Sequence, residues 1–481
     1  MADTSVAIVG AGFSGTLLAL HLLHRCPPAI RITLIERHRQ FGLGQAYATP
    51  NPNHLLNVPA GRMSAFHDRP SHFLDWLQAQ PAEALMGVTP AAGTFVPREL
   101  YGAYVRSLLN DEMRRTELRD RLELVRGEVL GLDRSGHPLV LQLDRDRTIT
   151  ADLAVLAVGN FPPEPMPVAD SSFYDTRLYR PDPWAADALT GLDAATPVLL
   201  VGTGLTMVDA VVSLLDQGHT GPIHAVSRRG LLPRRHAAAP PGPAGEALPF
   251  PTGVRALTRF LRTESRRAQD AGGSWHGVVD ALRPFTVDIW QAMPVGDKRR
   301  FLRHLRPWWD VHRHRMPGSV ADRIEAARTS GQLTVRAGRI RAYAPDGDSV
   351  LAQIQVRGQA APTALRVGRV VNCAGPGADY DRIAHPLVRR LLDDGTVQPD
   401  PLRLGLAVTG TCALINRSGE ISRRLFAVGP VTKGTFWEMT AVPDIRRQCE
   451  LLAQHLSSLV KPPAGAASVE ARKADGFTYA I

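Results

Sequence analysis

Cysteine is scarce in this chain. Its four residues, Cys26, Cys373, Cys412 and Cys449, are scattered among 481 positions and form neither a disulfide framework nor a CxxC metal site. Lysine is as rare, with four residues against fifty-two arginines. Together with the many alanines and prolines, this reads as the codon bias of a GC-rich genome. Uninterrupted apolar runs are also missing: the stretch Val198–Leu215 is broken by Gly202, Gly204 and Asp209, so no membrane span is expected. The N-terminus runs into a strand at Val6 without a basic leader or cleavage site, and the expected compartment is the cytoplasm. What remains is 44% apolar and 21% charged, the composition of a packed globular protein, at a length that suggests about three domains. The net charge of +10 is spread along the chain and not gathered into an aromatic-interleaved stripe, so nucleic acid is not an expected partner. A basic surface suits phosphate-bearing cofactors or acidic substrates.

A duplication organises the chain. Residues 5–15 read S-V-A-I-V-G-A-G-F-S-G, a buried strand entering a glycine turn and then an apolar helix. Val198–Asp209, V-L-L-V-G-T-G-L-T-M-V-D, repeats the arrangement. Second strands are expected at Ile32–Ile35 and His224–Val226. Each copy then carries a β-meander: Leu122–Leu132, Leu139–Leu143 and Ile149–Val158 in the first, Leu333–Ile340, Val350–Val356 and Leu365–Asn372 in the second. The expected fold is α/β, two Rossmann-like dinucleotide-binding domains in tandem. The first comprises 1–165 and 373–481, because a late strand at Leu425–Gly429 still needs a sheet. The second comprises 190–372, with a helical insertion at about 250–332. Pro-rich Phe161–Val168 and Arg180–Trp184 look like the hinge, and Ala239–Pro251 a further break.

Gly10-x-Gly12-x-x-Gly15 follows a strand, opens a helix, and has Glu36 at the end of the next strand. Gly10 makes the tight turn, Gly12 admits a pyrophosphate, Gly15 lets helix and strand pack, and Ser14 lies in the first helical turn. Glu36 is placed to accept hydrogen bonds from ribose hydroxyls, so this unit is expected to bind FAD. The second motif keeps Gly202 and Gly204, has Thr206 in the first turn, and carries Met207 where the third glycine would stand. Its second strand ends in Ser227-Arg228-Arg229, with no acid. A carboxylate would repel a 2′-phosphate and a guanidinium would bind it, so NADPH is expected here over NADH.

Beyond these fingerprints the chain carries F-G-L-G-Q-A-Y-A-T from Phe41, H-L-L-N-V-P-A-G-R-M-S-A-F from His54, F-V-P-R-E-L-Y-G-A-Y from Phe95, W-W-D-V-H-R-H-R from Trp308 and G-P-V-T-K-G-T-F-W-E-M-T-A-V-P from Gly429. With them it resembles the FAD/NAD(P)-binding oxidoreductase family over nearly its whole length. More distantly it is similar to class B flavin monooxygenases, whose A-T-G-like strand ends resemble Ala157-Val158-Gly159 and Cys373-Ala374-Gly375. The resemblance implies that Phe41–Tyr47, with Gly44 and Tyr47, and His54–Ser64 wrap the flavin, with His54, Asn57 and Ser64 as polar contacts. It also puts Gly159, Gly375, Gly429 and Thr440 at the cofactors and Trp437 and Glu438 on the substrate face. His54 and Asn57 are the catalytic candidates in the wrapping segment, although a loop histidine also serves as a hydrogen-bonded structural element. The usual Gly-Asp of the last flavin strand is Gly429-Pro430 here, and no redox cysteine pair follows the first glycine turn, which argues against a disulfide reductase. No metal site is expected: Trp308–His314 lacks the spacing of a ligand set and reads as a helix packing an aromatic face. The expectation is an NADPH-using FAD monooxygenase that hydroxylates a small metabolite with molecular oxygen, an amine nitrogen being a candidate for the atom oxidised. The rivals are an FAD-dependent dehydrogenase or reductase and a non-catalytic FAD-binding redox sensor.

Overall fold

In the computed structural model, which describes residues 4–115, 120–237 and 253–460, the doubled sequence pattern becomes two mainly parallel sheets. The first unit contains β1 (Thr4–Val9), β2 (Ile30–Glu36), β3 (Leu122–Arg126), β4 (Val129–Asp133), β5 (Leu139–Leu143), β6 (Thr148–Ala151) and β7 (Leu153–Leu156). The second contains β8 (Tyr179–Arg180), β9 (Val198–Val201), β10 (Ile223–Ser227), β11 (Leu333–Asp346), β12 (Ser349–Val356), β13 (Thr363–Val367) and β14 (Arg369–Asn372). The chain ends with β15 (Ala413–Ile415) and β16 (Ile421–Ala427).

The first sheet has the order β15-β16-β7-β1-β2-β3, and only β15 runs antiparallel. Its central strands are apolar without alternation because both faces are covered. Helix Phe13–Arg25 is buried from Phe13 through Leu23, since it lies between the sheet and the C-terminal helix Val442–Leu459. Arg25 Nη2 on the former pairs with Glu450 Oε1 on the latter at 2.8 Å. The last segment of the chain thus returns to the first unit.

The second sheet has the order β13-β12-β11-β10-β9-β14-β8. The two meanders are built differently. In the first unit, Leu122–Leu132 divides into β3, which joins the parallel sheet, and β4, which pairs with β5 in a separate three-stranded sheet. In the second, one fourteen-residue strand, β11, serves both purposes, parallel to β10 at Leu333–Ala337 and antiparallel to β12 from Gly338 onward. Two further expected strands are also interrupted. Ile149–Val158 breaks at Asp152, whose carboxylate accepts hydrogen bonds from the Ser5 amide and hydroxyl at 2.8 Å. Leu365–Asn372 breaks at Gly368, where any Cβ would sit 2.3 Å from Thr196 Cγ2.

Among the described residues, six α-helices lie between β10 and β11: Val254–Asp270, Trp275–Ala281, Thr286–Ala292, Val295–Arg300, Arg306–Arg313 and Gly318–Thr329. The last packs Val320, Ala321, Ile324 and Ala327 into the core of the second unit. Trp290 instead joins Leu404 and Trp437 in a small cluster on the first unit. Phe161 and Gly377 form an antiparallel bridge where the chain crosses between units, and Tyr179–Arg180, at the second expected hinge stretch, is the edge strand β8. Ala239–Pro251, the other expected break, lies outside the described residues.

Candidate functional site: two glycine turns and a buried charged chamber

At the first turn Gly10 has φ +105°, and a Cβ there would sit 2.4 Å from the Ala157 carbonyl oxygen. A Cβ on Gly15 would lie 1.9 Å from the Gly10 carbonyl oxygen. These glycines let helix Phe13–Arg25 meet the ends of β1 and β7. Gly12 is the N-cap and offers no capping side chain, so the first helical N–H groups have no side-chain acceptor. Glu36 is buried beside the turn; its Oε2 accepts the Ala11 N–H at 2.9 Å and its Oε1 the His38 N–H at 3.0 Å. Phe41–Tyr47 folds onto the same turn: the Gly42 N–H donates to the Ala11 carbonyl at 2.7 Å, and a Cβ on Gly44 would be 3.1 Å from Gly12 Cα. The Tyr47 ring lies 4.7 Å from that of Tyr101. Gly429, at φ +81°, approaches from the far end of the chain, where a Cβ would be 2.5 Å from Ser14 Oγ. Gly159, at φ +70°, lies past the end of β7 with open space around its Cβ position.

The second turn repeats the scheme. Gly202 has φ +116°, and a Cβ would be 2.3 Å from the Cys373 carbonyl oxygen. Gly204 caps helix Leu205–Asp216 without a side-chain bond, and a Cβ on Gly204 or Gly375 would meet nothing within 4 Å. Thr206 is half-buried in the first turn, and Met207 is buried in the core. Ser227 Oγ lies 2.8 Å from Thr203 Oγ1 and accepts the Gly230 N–H at 3.0 Å. Arg228 is exposed. Arg229 Nη2 donates to the His304 carbonyl at 3.3 Å, and its guanidinium lies 5.9 Å from the Trp308 ring centre, so the insertion borders this site.

In the segment from His54 to Ser64, the His54 and Ser64 side chains are engaged within the protein. His54 is buried: its Nδ1 is 2.7 Å from Thr49 Oγ1, and its Nε2 is 3.0 Å from the Asp209 carbonyl oxygen and 2.9 Å from Ser213 Oγ. A neutral ring that accepts from Thr49 and donates to Asp209 has no nitrogen left for catalysis or for a flavin. His54 is a clasp between the units, reinforced by the Arg98–Asp209 ion pair at 2.8 Å and by Asn51 and Asn53 donating to Asp216 Oδ2. The Asn57 carbonyl accepts from His236 Nε2 at 3.0 Å. Ser64 is fully buried, with its hydroxyl committed to the carbonyls of Phe66 and Arg69, so it is a loop brace. The apolar context of His54 carried the signal for a buried histidine, but the partner helix is 150 residues away and no local pattern names it.

Trp437 and Glu438 sit where the insertion meets the first unit. Trp437 has φ +58°, a conformation costly for a bulky residue. Its ring stacks at 4.6 Å on Trp290 and meets Phe301 at 5.2 Å. Lys433 Nζ lies 5.1 Å from the Trp437 ring and Lys298 Nζ 5.3 Å from that of Trp290. In a chain that uses arginine nearly everywhere, the two lysines among the described residues both face this tryptophan pair, a signal that sequence reasoning passed over. Desolvation draws the Lys433 ammonium down to about 8, with Arg306 adding to it. Glu438 is buried, its Oε1 accepting Trp309 Nε1–H at 3.2 Å and its Oε2 lying 3.2 Å from Arg313 Nη2. Burial pushes its carboxyl up, but Arg313, His314, the Trp309 bond and Lys433 together hold it below the ordinary value. Asp444, 3.7 Å from Arg283, is pushed up to about 6 by burial, which its arginine neighbours only partly offset. Thr440 is exposed, its N–H donating to the Glu438 carbonyl at 2.6 Å. Of the Trp308–His314 segment, Trp309 packs against the tryptophan cluster while Trp308 faces solvent. A cavity of about 820 Å³ opens beside this network, between Gly61–Arg62, Thr409–Cys412, the insertion at Asp280–Gln291 and the start of helix Val442–Leu459.

Two glycine turns, each opening a helix against a mainly parallel sheet, define a tandem Rossmann-type fold. Residues 7–161 match the model of a family described as FAD-NAD(P)-binding. The ornithine N-hydroxylase of Kutzneria sp. 744, solved with reduced FAD, NADP⁺ and L-ornithine, is 14% identical with a TM-score of 0.66, covering 95% of this chain and all of that one. L-lysine 6-monooxygenase from Pseudomonas syringae is 15% identical with a TM-score of 0.64, covering 96% of this chain and all of the other. The bacillithiol disulfide reductase of Staphylococcus aureus is 11% identical with a TM-score of 0.55, over 96% and 100%. No curated protein matches the chain in sequence. The chain therefore has the fold of these enzymes, and its first unit is a dinucleotide-binding domain.

Proposed function

We propose that this protein is an FAD-dependent, NADPH-using monooxygenase of the class B type acting on a small metabolite. The observation that carries the reading is the cavity beside Trp437–Asp444. It lies between the first unit, the helical insertion of the second and the C-terminal segment, next to a buried network of charged groups. The first turn fits the diphosphate and ribose of FAD: Gly10–Gly15 give close backbone approach, the uncapped helix start supplies N–H donors, and Glu36 is anchored for hydroxyls. The second fits NADPH, with open space above Gly204 and arginines at the end of β10. Bound FAD supplies hydride acceptance from NADPH and the activation of oxygen, for a balance in which NADPH, a proton, oxygen and substrate give NADP⁺, water and the oxygenated product. The chain's own part is to hold both nucleotides, to exclude water with the Trp290–Trp437 wall, and to fix charge with Arg313 and Glu438. A disulfide reductase, which one structural neighbour is, needs a reactive thiol pair. The four cysteines here are buried and unpaired, and burial pushes their thiols up.

Purified protein is expected to be yellow with non-covalent FAD and to be reduced by NADPH. On mixing with oxygen, stopped-flow absorbance should show oxidised flavin returning more slowly after reduction by NADPH than by dithionite, because NADP⁺ stays to cover the site. Identical reoxidation in both cases would sink oxygen transfer. A sensor would hardly be reduced by NADPH at all, and a dehydrogenase would react sluggishly with oxygen whichever reductant was used.

A further inference from the structure

We propose that the cavity beside Trp437–Asp444 recognises an organic acid, a carboxylate on a hydrocarbon body, and rejects a free diamine. The inference names the substrate class of the site described above and rests on that reading.

Arginine side chains dominate the polar lining: Arg62, Arg283, Arg446 and Arg447 face the same space as Asp280, Asp288 and Asp444. Much of the acidity is already matched. Asp280 pairs with Arg315, and Asp444 lies 3.7 Å from Arg283. What is left over is donors. Arg446 Nε at the lining, and Arg313 Nε and Arg315 Nε and Nη1 behind it, are buried without a hydrogen-bond partner, while Arg283 Nη2 and Arg313 Nη2 have only their ion-pair contacts to Asp444 and Glu438. The buried carboxylate oxygens in the same condition are Glu438 Oε2 and Asp444 Oδ2, and each is already the ion-pair neighbour of one of those arginines.

A guanidinium has five N–H donors and no acceptor, so the group that completes this network must bring oxygen lone pairs and negative charge. An ammonium brings neither; it would add donors and positive charge to a site with a surplus of both. The remaining walls are apolar, with Val287, Phe436, Met439, Leu451 and Leu452, which suits a hydrocarbon body attached to the acid. About 820 Å³ holds a ligand of metabolite size. The ornithine and lysine named for the two solved monooxygenases carry amines and a carboxylate. This chain is expected to differ from an enzyme for a bare diamine such as cadaverine.

The test uses the FAD-loaded protein and two probes of equal length and opposite charge, hexanoate and hexylamine. They are titrated by calorimetry at neutral pH, without NADPH. Hexanoate should bind at least tenfold more tightly than hexylamine. Arg283→Gln should weaken hexanoate at least tenfold. Arg62→Gln, whose exposed side chain makes it safe for folding, should weaken it several-fold at unchanged flavin content. Hexylamine binding as well as hexanoate, or hexanoate binding that is indifferent to both substitutions, overturns the proposal; if Arg283→Gln fails to fold, Arg62→Gln decides alone. Because NADPH is absent and the flavin stays oxidised, the outcome is separable from the enzyme reading. Selective hexanoate binding with no NADPH-driven oxygen chemistry leaves the acid site standing, and normal oxygen chemistry without that selectivity removes the acid site alone.

Discussion

Glycines of the same motif do different work, and their substitutions separate accordingly. Gly202 holds φ +116° with its α-carbon against the Cys373 carbonyl, whereas Gly204 has an ordinary φ of −84° and open space where a Cβ would go. Gly202→Ala is expected to destabilise the second unit by about 2 kcal/mol or more, from backbone strain and a direct clash. Gly204→Ala should leave the urea midpoint nearly unchanged and weaken NADPH at least tenfold, since the new methyl group projects into the space the nucleotide needs. Equal loss of stability in both variants would mean that the space above Gly204 is not a ligand cradle. Arg228 is the cleaner of the two arginines, because Arg229 is also tied to the insertion through His304. Arg228→Ala should cut the preference for NADPH over NADH about ten- to a hundredfold, the value of one charge-assisted bond of about 1.5–3 kcal/mol, as read from reduction rates at limiting nucleotide. The glycine positions were legible because a tight turn with close backbone approach admits no other residue. The roles of His54 and Ser64 were not, because a hydroxyl or imidazole can satisfy a flavin or a neighbouring carbonyl equally well, and only the fold decides which is near.

At the level of elements, strand positions followed from apolar runs ending at glycine, while strand breaks did not. Asp152 and Gly368 interrupt the runs for tertiary reasons, a capped Ser5 in one case and the approach of Thr196 in the other, and neither partner is close in sequence. The helical insertion showed its periodicity, but the pairing of its arginines with Glu438 and Asp444 spans more than a hundred residues. The clasp between units belongs to the same scale. His54, Asn51 and Asn53 on one loop hold the helix Leu205–Asp216 that begins at the second glycine turn. His54→Ala removes the buried ring that bridges the Thr49 hydroxyl and the Asp209 carbonyl; the carbonyl keeps its bond within the helix, but the buried Thr49 hydroxyl loses its partner, at a cost of about 1–3 kcal/mol. Such a variant should keep its FAD, unfold at lower urea, and be reduced by NADPH more slowly, because the helix that presents the nucleotide loses its fixed position. Reduction at the wild-type rate would show that the clasp serves stability alone.

Across the whole molecule, every histidine whose titration is shifted is shifted down, which sets how the fold responds to acid. Burial lowers His21 and His236 to about 4 from an ordinary 6.5, and lowers His54 as well. Between those values and 6.5 the unfolded chain binds protons that the folded chain refuses, so stability rises with pH across this window and is lost as pH falls through it. Asp444 acts in the opposite sense. Its carboxyl titrates at about 6 in the fold against 3.8 in the open chain, so between about 4 and 6 the folded form holds a proton that the unfolded form releases, and acid favours the fold there. Burial raises the Asp288 and Asp400 carboxyls as well, in the same sense as Asp444. The ten lowered histidines outweigh these three aspartates, and the net expectation is loss of stability from pH 6.5 to 4.5, on the order of 1.4 kcal/mol per pH unit for each net proton. Asp444→Asn removes one of the opposing groups. It should therefore steepen the decline below pH 6, whatever the substitution does to stability at neutral pH. Urea unfolding of both proteins at half-unit steps measures the two slopes. A shallower slope in Asp444→Asn would mean that this carboxylate is ionised in the fold through the whole range, with the Arg283 partnership stronger than its 3.7 Å separation implies.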